Sequence, residues 1–340
     1  MDVHAASLLL RTPSPILLHL EIWAYRGLVH LPDDFLGRHA PSLRSVSFDG
    51  VHPRFEPDFP LPSLIEFKLS LPEIADPFCA GALFKFLSGC PHLQKIRINS
   101  KVPSQDTPLD TIIPLESLVE LDYTYSPVSQ VLPCLRLPRL KRLRASFSLG
   151  QAQNVVDILP HGSHAFLAGA TKILYHSYEF SQEIRLYGRG TDVSFTVFRP
   201  ETNHATTDWF PDAACIFGQI EELIVEGSIA VGFPINIAAF ENLRVLQITP
   251  WNVEYTEEFL RLFWPDPRAG VPCPSLQEIR YPCWGPLEPL MGVVRERKRG
   301  GHQLGLVRLL DTWGGTNQDL AGELEEHVGK VRVEKWYGVM

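Results

Sequence analysis

The chain has 340 residues, 45% hydrophobic and 21% charged, and its 31 basic and 39 acidic side chains leave a net charge of −8. That make-up is globular and carries a sizeable core, while the acidic balance argues against a nucleic-acid partner, whose phosphates call for a basic surface. No apolar run approaches the roughly 18 residues needed to span a bilayer, and the first residues lack the basic region of a signal peptide, so no membrane partner is expected.

One pattern recurs along the chain: a leading Leu, two free positions, then two apolar residues separated by one. It opens as Leu17-x-x-Leu20-x-Ile22. The segment Leu31-Pro-Asp-Asp-Phe-Leu36 reads as a turn between repeats. Copies led by Pro follow at Pro41-x-Leu43-x-x-Val46-x-Phe48, Pro62-x-Leu64-x-x-Phe67-x-Leu69 and Pro91-x-Leu93-x-x-Ile96-x-Ile98. Between the last two, Asp76-Pro77 starts a helix that Gly89 ends. Leu118-x-x-Leu121-x-Tyr123 and Pro138-x-Leu140-x-x-Leu143-x-Ala145 come next, and a helix is predicted over Gln151 to Leu159.

The centre is less regular. A degenerate copy sits at Ile184-Arg-Leu186, a turn at Gly188-Arg-Gly190, and Val193 to Phe198 reads as an extra strand. The pattern then resumes at Ile220-x-x-Leu223-x-Val225, Leu243-x-x-Leu246-x-Ile248, Pro274-x-Leu276-x-x-Ile279-x-Tyr281, Leu304-x-x-Val307-x-Leu309 and Val328-x-x-Val331-x-Val333. Helices are predicted over Thr256 to Phe263, Leu287 to Lys298 and Asp319 to Val328. Each copy carries one short strand that cannot bury its inward residues alone, so the copies stack into a solenoid around one continuous core. The sequence therefore predicts an α/β fold: a single domain over residues 1–340 with one curved parallel sheet, outer helices and loops, and an irregular centre at about 145–219.

Residues interleaved with the apolar pairs must point away from the core. Lys95, Arg97, Glu120, Asp122, Arg142 and Arg144 should form a basic–acidic–basic band on the concave face. Farther along, Glu222, Ile224, Val245, Gln247, Glu278 and Arg280 line the same face, and Ile224, Val245 and Leu306 either form a small apolar patch or are covered by the connections around them. These are the candidate partner-binding residues.

Signatures of catalysis are missing. There is no G-x-S-x-G elbow, no H-E-x-x-H and no C-x-x-C pair, so no catalytic residue, metal site or cofactor is predicted. The rival reading is an unrecognised enzyme in the irregular centre, built on His161, His164, Tyr175 and His176. The run Arg295-Glu-Arg297-Lys298-Arg299 is read as the cationic end of a helix that Gly300-Gly301 terminates, with an anion or nuclear-import patch as the alternative. Six scattered cysteines and the lack of an N-x-S/T sequon point to the cytoplasm or nucleus.

The repeat resembles a degenerate leucine-rich repeat without its Asn; Val51, Lys101, Ser126, Ser148, Trp251 and Trp284 stand where Asn is expected. Several stretches are similar to the F-box/leucine-rich-repeat-like proteins of mushroom-forming fungi: Leu31-Pro-Asp-Asp-Phe-Leu-Gly37, Val271-Pro-Cys-Pro-Ser-Leu276, Val294-Arg-Glu-Arg-Lys-Arg-Gly300 and Leu324-Glu-Glu-His-Val328. The resemblance implies a horseshoe-shaped, non-catalytic protein-recognition module that presents substrates to an SCF-type ubiquitin ligase. It also implies an F-box, but repeat strands at Leu17 and Leu43 leave no space for one around Leu31, so the module is expected to be missing from this chain. The SCF adaptor would then be a partner only through an F-box outside it. A scaffold or decayed paralogue without a ligase link is the alternative.

Overall fold

The computed structural model describes residues 11–24, 29–31, 35–52, 61–71, 80–100, 112–125, 132–148, 159–161, 167–177, 181–198, 217–227, 236–250, 256–265, 270–285, 287–311 and 318–335. In chain order the strands are β1 (His19–Trp23), β2 (Val29–His30), β3 (Ser45–Asp49), β4 (Val51–His52), β5 (Glu66–Leu71), β6 (Lys95–Ser100), β7 (Ile113–Pro114), β8 (Glu120–Tyr125), β9 (Leu135–Arg136) and β10 (Arg142–Ser148). Then come β11 (Ala170–Ser177), β12 (Ser181–Gly188), β13 (Thr191–Phe198), β14 (Glu222–Gly227), β15 (Val245–Pro250), β16 (Glu278–Pro282), β17 (Leu306–Asp311) and β18 (Val331–Lys335). Four helices are described: α1 (Ala80–Ser88), α2 (Thr256–Arg261), α3 (Leu287–Arg299) and α4 (Gln318–Glu325).

The chain divides into two compact units, Met1–Phe166 with Val193–Phe198, and Leu167–Asp192 with Arg199–Met340. Each is α/β and centred on a large, mostly parallel run of strands with few helices.

A single local device builds the strands of both units. The amide of each leading residue closes a four-residue turn on the carbonyl three positions back: Leu43 on Ala40, Leu64 on Leu61, Leu93 on Cys90, Leu140 on Leu137 and Leu276 on Cys273, at 3.0–3.3 Å. The Pro of Pro-x-Leu is the second residue of that turn, where its fixed φ suits the backbone. Where Pro is absent the turn survives, as at Leu118 on Leu115, Ile220 on Phe217 and Leu243 on Phe240. Just beyond the turn, one carbonyl accepts from two successive amides of the next copy. Arg44 receives Ile65 and Glu66, Ile65 receives Gln94 and Lys95, and Gln94 receives Val119 and Glu120. The leading leucines 43, 64, 93, 118, 140, 243 and 276 are all buried.

In the first unit the strand order is β1-β3-β5-β6-β8-β10, with Val193–Phe198 of β13 beside β10. The five pairs from β1 to β10 are parallel and share one register. Strand burial alternates, with Phe48, Phe67, Leu69, Ile96, Ile98, Leu121 and Leu143 inside, and Phe48 packs edge-on against Phe67 at 6.2 Å. Two-residue parallel pairs, β2 with β4 and β7 with β9, lie outside this run. A 3-10 turn at Phe35–Arg38 stands where the inter-repeat turn was expected, with Leu36 and Arg38 at φ 51° and 55°. The helix expected from Asp76 is described from Ala80, and that over Gln151 to Leu159 lies outside the described residues except for Leu159.

The second unit orders its strands β12-β11-β14-β15-β16-β17-β18. All these pairs are parallel except one: β12 runs antiparallel to β11, pairing Tyr175 with Ile184. The Ile184 copy is therefore not a repeat strand of the parallel run. Only three residues connect β11 to β12, far too few for the crossover that a parallel pair requires. The expected extra strand at Val193 is present as β13, after a turn whose Gly190 has φ 80°.

Helix α3 ends as the sequence implies. His302 donates to the Arg297 carbonyl at 2.9 Å and Gly301 to that of Lys298 at 3.1 Å, with Gly301 at φ 80°, so glycine supplies the left-handed residue of a Schellman cap. Arg297 itself is fully buried. No helix among the described residues is long and apolar enough to cross a membrane.

Candidate functional site

Register places the outward side chains of the first unit in rows. One row runs His19, Ser45, Glu66, Lys95, Glu120, Arg142, and the next runs Glu21, Ser47, Lys68, Arg97, Asp122, Arg144. The six residues predicted to form the charged band thus do stand side by side on β6, β8 and β10. Their pairing is uneven. Glu120 sits between Lys95 at 3.9 Å and Arg142 at 3.3 Å, and Glu66 takes Lys68 at 3.3 Å. In the second row, no ion pair or side-chain hydrogen bond among the described residues engages Arg97, Asp122 or Arg144. A small cleft of about 20 Å³ opens between the six.

A third row lies one outward step further: Trp23, Asp49, Ser70, Asn99, Thr124, Ser146. Together with the second row it surrounds a basin of about 350 Å³ that reaches from β1 to β8. Trp23 is 55% exposed there, and its indole N–H donates to Glu21 at 3.2 Å. Sequence reasoning stopped at the two residues interleaved with the apolar pair and so missed this row. The residue directly after the second apolar position also faces outward, and that step would have found Trp23, Asp49 and Asn99.

On the outward face of the second unit six charges are linked in a chain, with Arg332 of β18 outside it. Lys172 meets Glu222 at 3.2 Å, Glu222 meets Arg280 at 3.1 Å, and Arg280 meets Glu278 at 2.6 Å. Glu278 then meets Arg308 at 2.7 Å, and Arg308 meets Glu334 at 2.5 Å. Arg280 reaches across β15 to make its contact with Glu222. Gln247, paired in register with Arg280 and Ile224, is buried. Ile224, Val245 and Leu306, the three residues of the expected apolar patch, are half-exposed and interleaved with a continuous chain of charges. Lys172, an outward residue of β11, was missed because its copy leads with Ala170 instead of Leu.

Three of the four residues singled out as a possible enzyme grouping are described. Tyr175 points into the core while His176, its neighbour on β11, faces outward. His161 is exposed in the first unit and His164 lies outside the described residues. Burial pushes the Cys90 thiol up to about 11 and the Cys273 thiol up to about 12, so both stay protonated and unreactive at neutral pH. No group of three or more His, Cys, Asp or Glu among the described residues could hold a metal ion.

His176 stands 3.5 Å from Glu226 and is paired in register with Glu183, which is held by Arg185 at 2.7 and 2.9 Å. Burial, the largest influence, lowers the His176 pKa below 6.5; Glu226 and Glu183 oppose this and Arg185 adds to it. The fold thus binds this proton less tightly than the unfolded chain does. The stabilising contribution is whole above about pH 6.5 and is lost as pH falls below it. Urea midpoints at about pH 7.5 and about pH 5.5 should fall further for the wild type than for His176→Gln. Equal falls would show that His176 carries none of the dependence.

No family model matches this chain, and no curated protein matches it in sequence.

Proposed function

We propose that this chain is a non-catalytic protein-recognition module with an irregular leucine-rich-repeat-like solenoid fold, and that its partner docks on the outward face of the first unit. The observation that carries this reading is the contrast between the two faces. In the second unit six charged side chains, from Lys172 to Glu334, neutralise one another in a continuous chain with Arg332 outside it, whereas Arg97, Asp122 and Arg144 stand together in one row without ion-pair partners among the described residues. Side chains held in register by a parallel sheet and not spent on one another are available to a partner, and they steer its approach. The recurring turn and strand support the solenoid reading, and the resemblance to fungal F-box/leucine-rich-repeat-like proteins supports substrate recognition for an SCF-type ubiquitin ligase. Buried thiols at Cys90 and Cys273 fit a reducing compartment, the cytoplasm or nucleus.

The test is capture by the immobilised chain from a fungal extract, comparing the wild type with an Arg142→Glu/Arg144→Glu variant. Reversal sets like charges beside Glu120 and Asp122 and removes the 3.3 Å contact of Arg142 with Glu120, so melting is followed alongside. Capture should fall by about tenfold or more, equivalent to about 1.4 kcal/mol, and its salt dependence should shrink. A folded variant that captures the same partner equally well would overturn the assignment of the face.

A further inference from the structure

We infer that the basin on the first unit binds an extended peptide segment bearing a basic and an acidic side chain four residues apart. This rests on the recognition reading above and names the chemistry of its partner. The basin has two unlike ends. At β1 and β3, Glu21 and Asp49 flank the exposed Trp23, which lies directly opposite Asp49 in the register. The Glu21 hydrogen bond to the indole N–H at 3.2 Å orients the ring. An exposed aromatic face with two carboxylates beside it attracts a guanidinium or ammonium group.

At β6 stands Arg97, exposed and without an ion-pair partner among the described residues, next to Lys68 of β5. Lys68 leans on Glu66 at 3.3 Å, leaving Arg97 as the cation available to a carboxylate. Asp122, the next residue along the row, repels a carboxylate that overshoots Arg97 and so confines the acid to the Lys68 side. Between the ends, Ser47, Ser70 and Asn99 offer hydroxyl and amide groups to a peptide backbone.

The spacing sets the peptide. In the order β1-β3-β5-β6 the ends are three strand steps apart, about 14 Å at about 4.8 Å per step. In an extended peptide, side chains four residues apart share a face and lie about 13–14 Å from each other. A separation of three residues would turn the second side chain away. The match fixes spacing but not direction, since the peptide can cross the rows either way.

The experiment titrates short fluorescein-labelled peptides into the full chain, followed by polarisation. The probe is Gly-Arg-Ser-Thr-Ser-Asp-Gly; one control brings Asp one residue closer to Arg, and another replaces Asp by Arg. The probe should bind about tenfold or more tighter than either control. Arg97→Glu should invert the preference, weakening the probe and strengthening the peptide with two Arg residues, a gain that simple damage to the fold cannot produce. Trp23→Ala should weaken the probe in a chain whose melting is unchanged. Equal binding of probe and controls, or no saturable binding of the probe, would overturn the inference. If the peptides fail while partner capture still responds to reversal of Arg142 and Arg144, the recognition face stands and only the basin's role falls. If capture fails as well, both fall.

Discussion

Arg297→Ala should destabilise the chain by about 3–6 kcal/mol, from two hydrogen bonds to a charged group of about 1.5–3 kcal/mol each. The guanidinium donates to the carbonyls of Pro272 at 2.9 Å and Cys273 at 3.0 Å, with a longer contact to Phe263 at 3.5 Å. It therefore ties the last turn of α3 to the turn that precedes β16. Alanine removes a donor from both carbonyls, of which that of Cys273 keeps the Leu276 amide at 3.0 Å, and opens a cavity in place of the buried side chain. The Arg297 Nε finds no hydrogen-bond partner among the described residues, and burial lowers the guanidinium pKa, which places the loss toward the lower end of the range. Lysine should not rescue it, because a single ammonium cannot reproduce the planar fork. Urea unfolding checks this, and a midpoint within the error of the wild type would refute the tie.

Leu93→Ala should cost about 2–5 kcal/mol through lost burial and a cavity. Leu93 is 2% exposed and closes the turn that launches β6, within the parallel run of the first unit. An outward residue of the same run of strands offers the control. Ser47→Ala, on the open face of β3, should change stability by no more than about 0.5 kcal/mol. Similar losses for the two variants would mean that the leading leucine does not anchor the strand.

The strands were legible because their pattern is local. Each leading Leu, its turn and the alternation after it occupy fewer than ten consecutive residues, and every intact copy became a parallel strand. Reading failed where one position of the pattern changed or a tertiary partner decided the outcome. Ala170 in place of Leu hid β11, and Ile184 kept the alternation of a repeat while its short connection forced an antiparallel partner. Helical spacing sets Arg297 apart from Arg295 and Arg299, since it follows Val294 and Val293 by three and four residues on the apolar stripe, but its carbonyl partners were not legible. Those partners follow from which face of α3 meets the segments carrying Phe263 and Pro272, a fact of packing.

The charged band was legible as a list but not as a set of pairings. Alternation assigned Arg97, Asp122 and Arg144 to the outward face correctly. Which cations and carboxylates satisfy one another depends on side-chain reach between strands, and in the second unit on Arg280 extending over β15. Ile224 and Val245 looked like a patch because the sequence does not reveal the charges that close around them.

The turn that closes on each leading residue also bears on how such a chain diversifies. The copies led by Leu64, Leu93, Leu118, Leu140, Leu243 and Leu276 are each completed by their own turn and hooked to the preceding copy through a carbonyl that accepts two amides. Leu43 and Leu64 are 21 residues apart and Leu64 and Leu93 are 29, yet their strands pair in the same register. Insertions and deletions between copies are therefore nearly neutral to the sheet, as is duplication of a whole copy, whereas substitution of the leading Leu is not. Genes of this design can drift in length while their outward rows are rewritten residue by residue, because selection for folding acts on the inward positions.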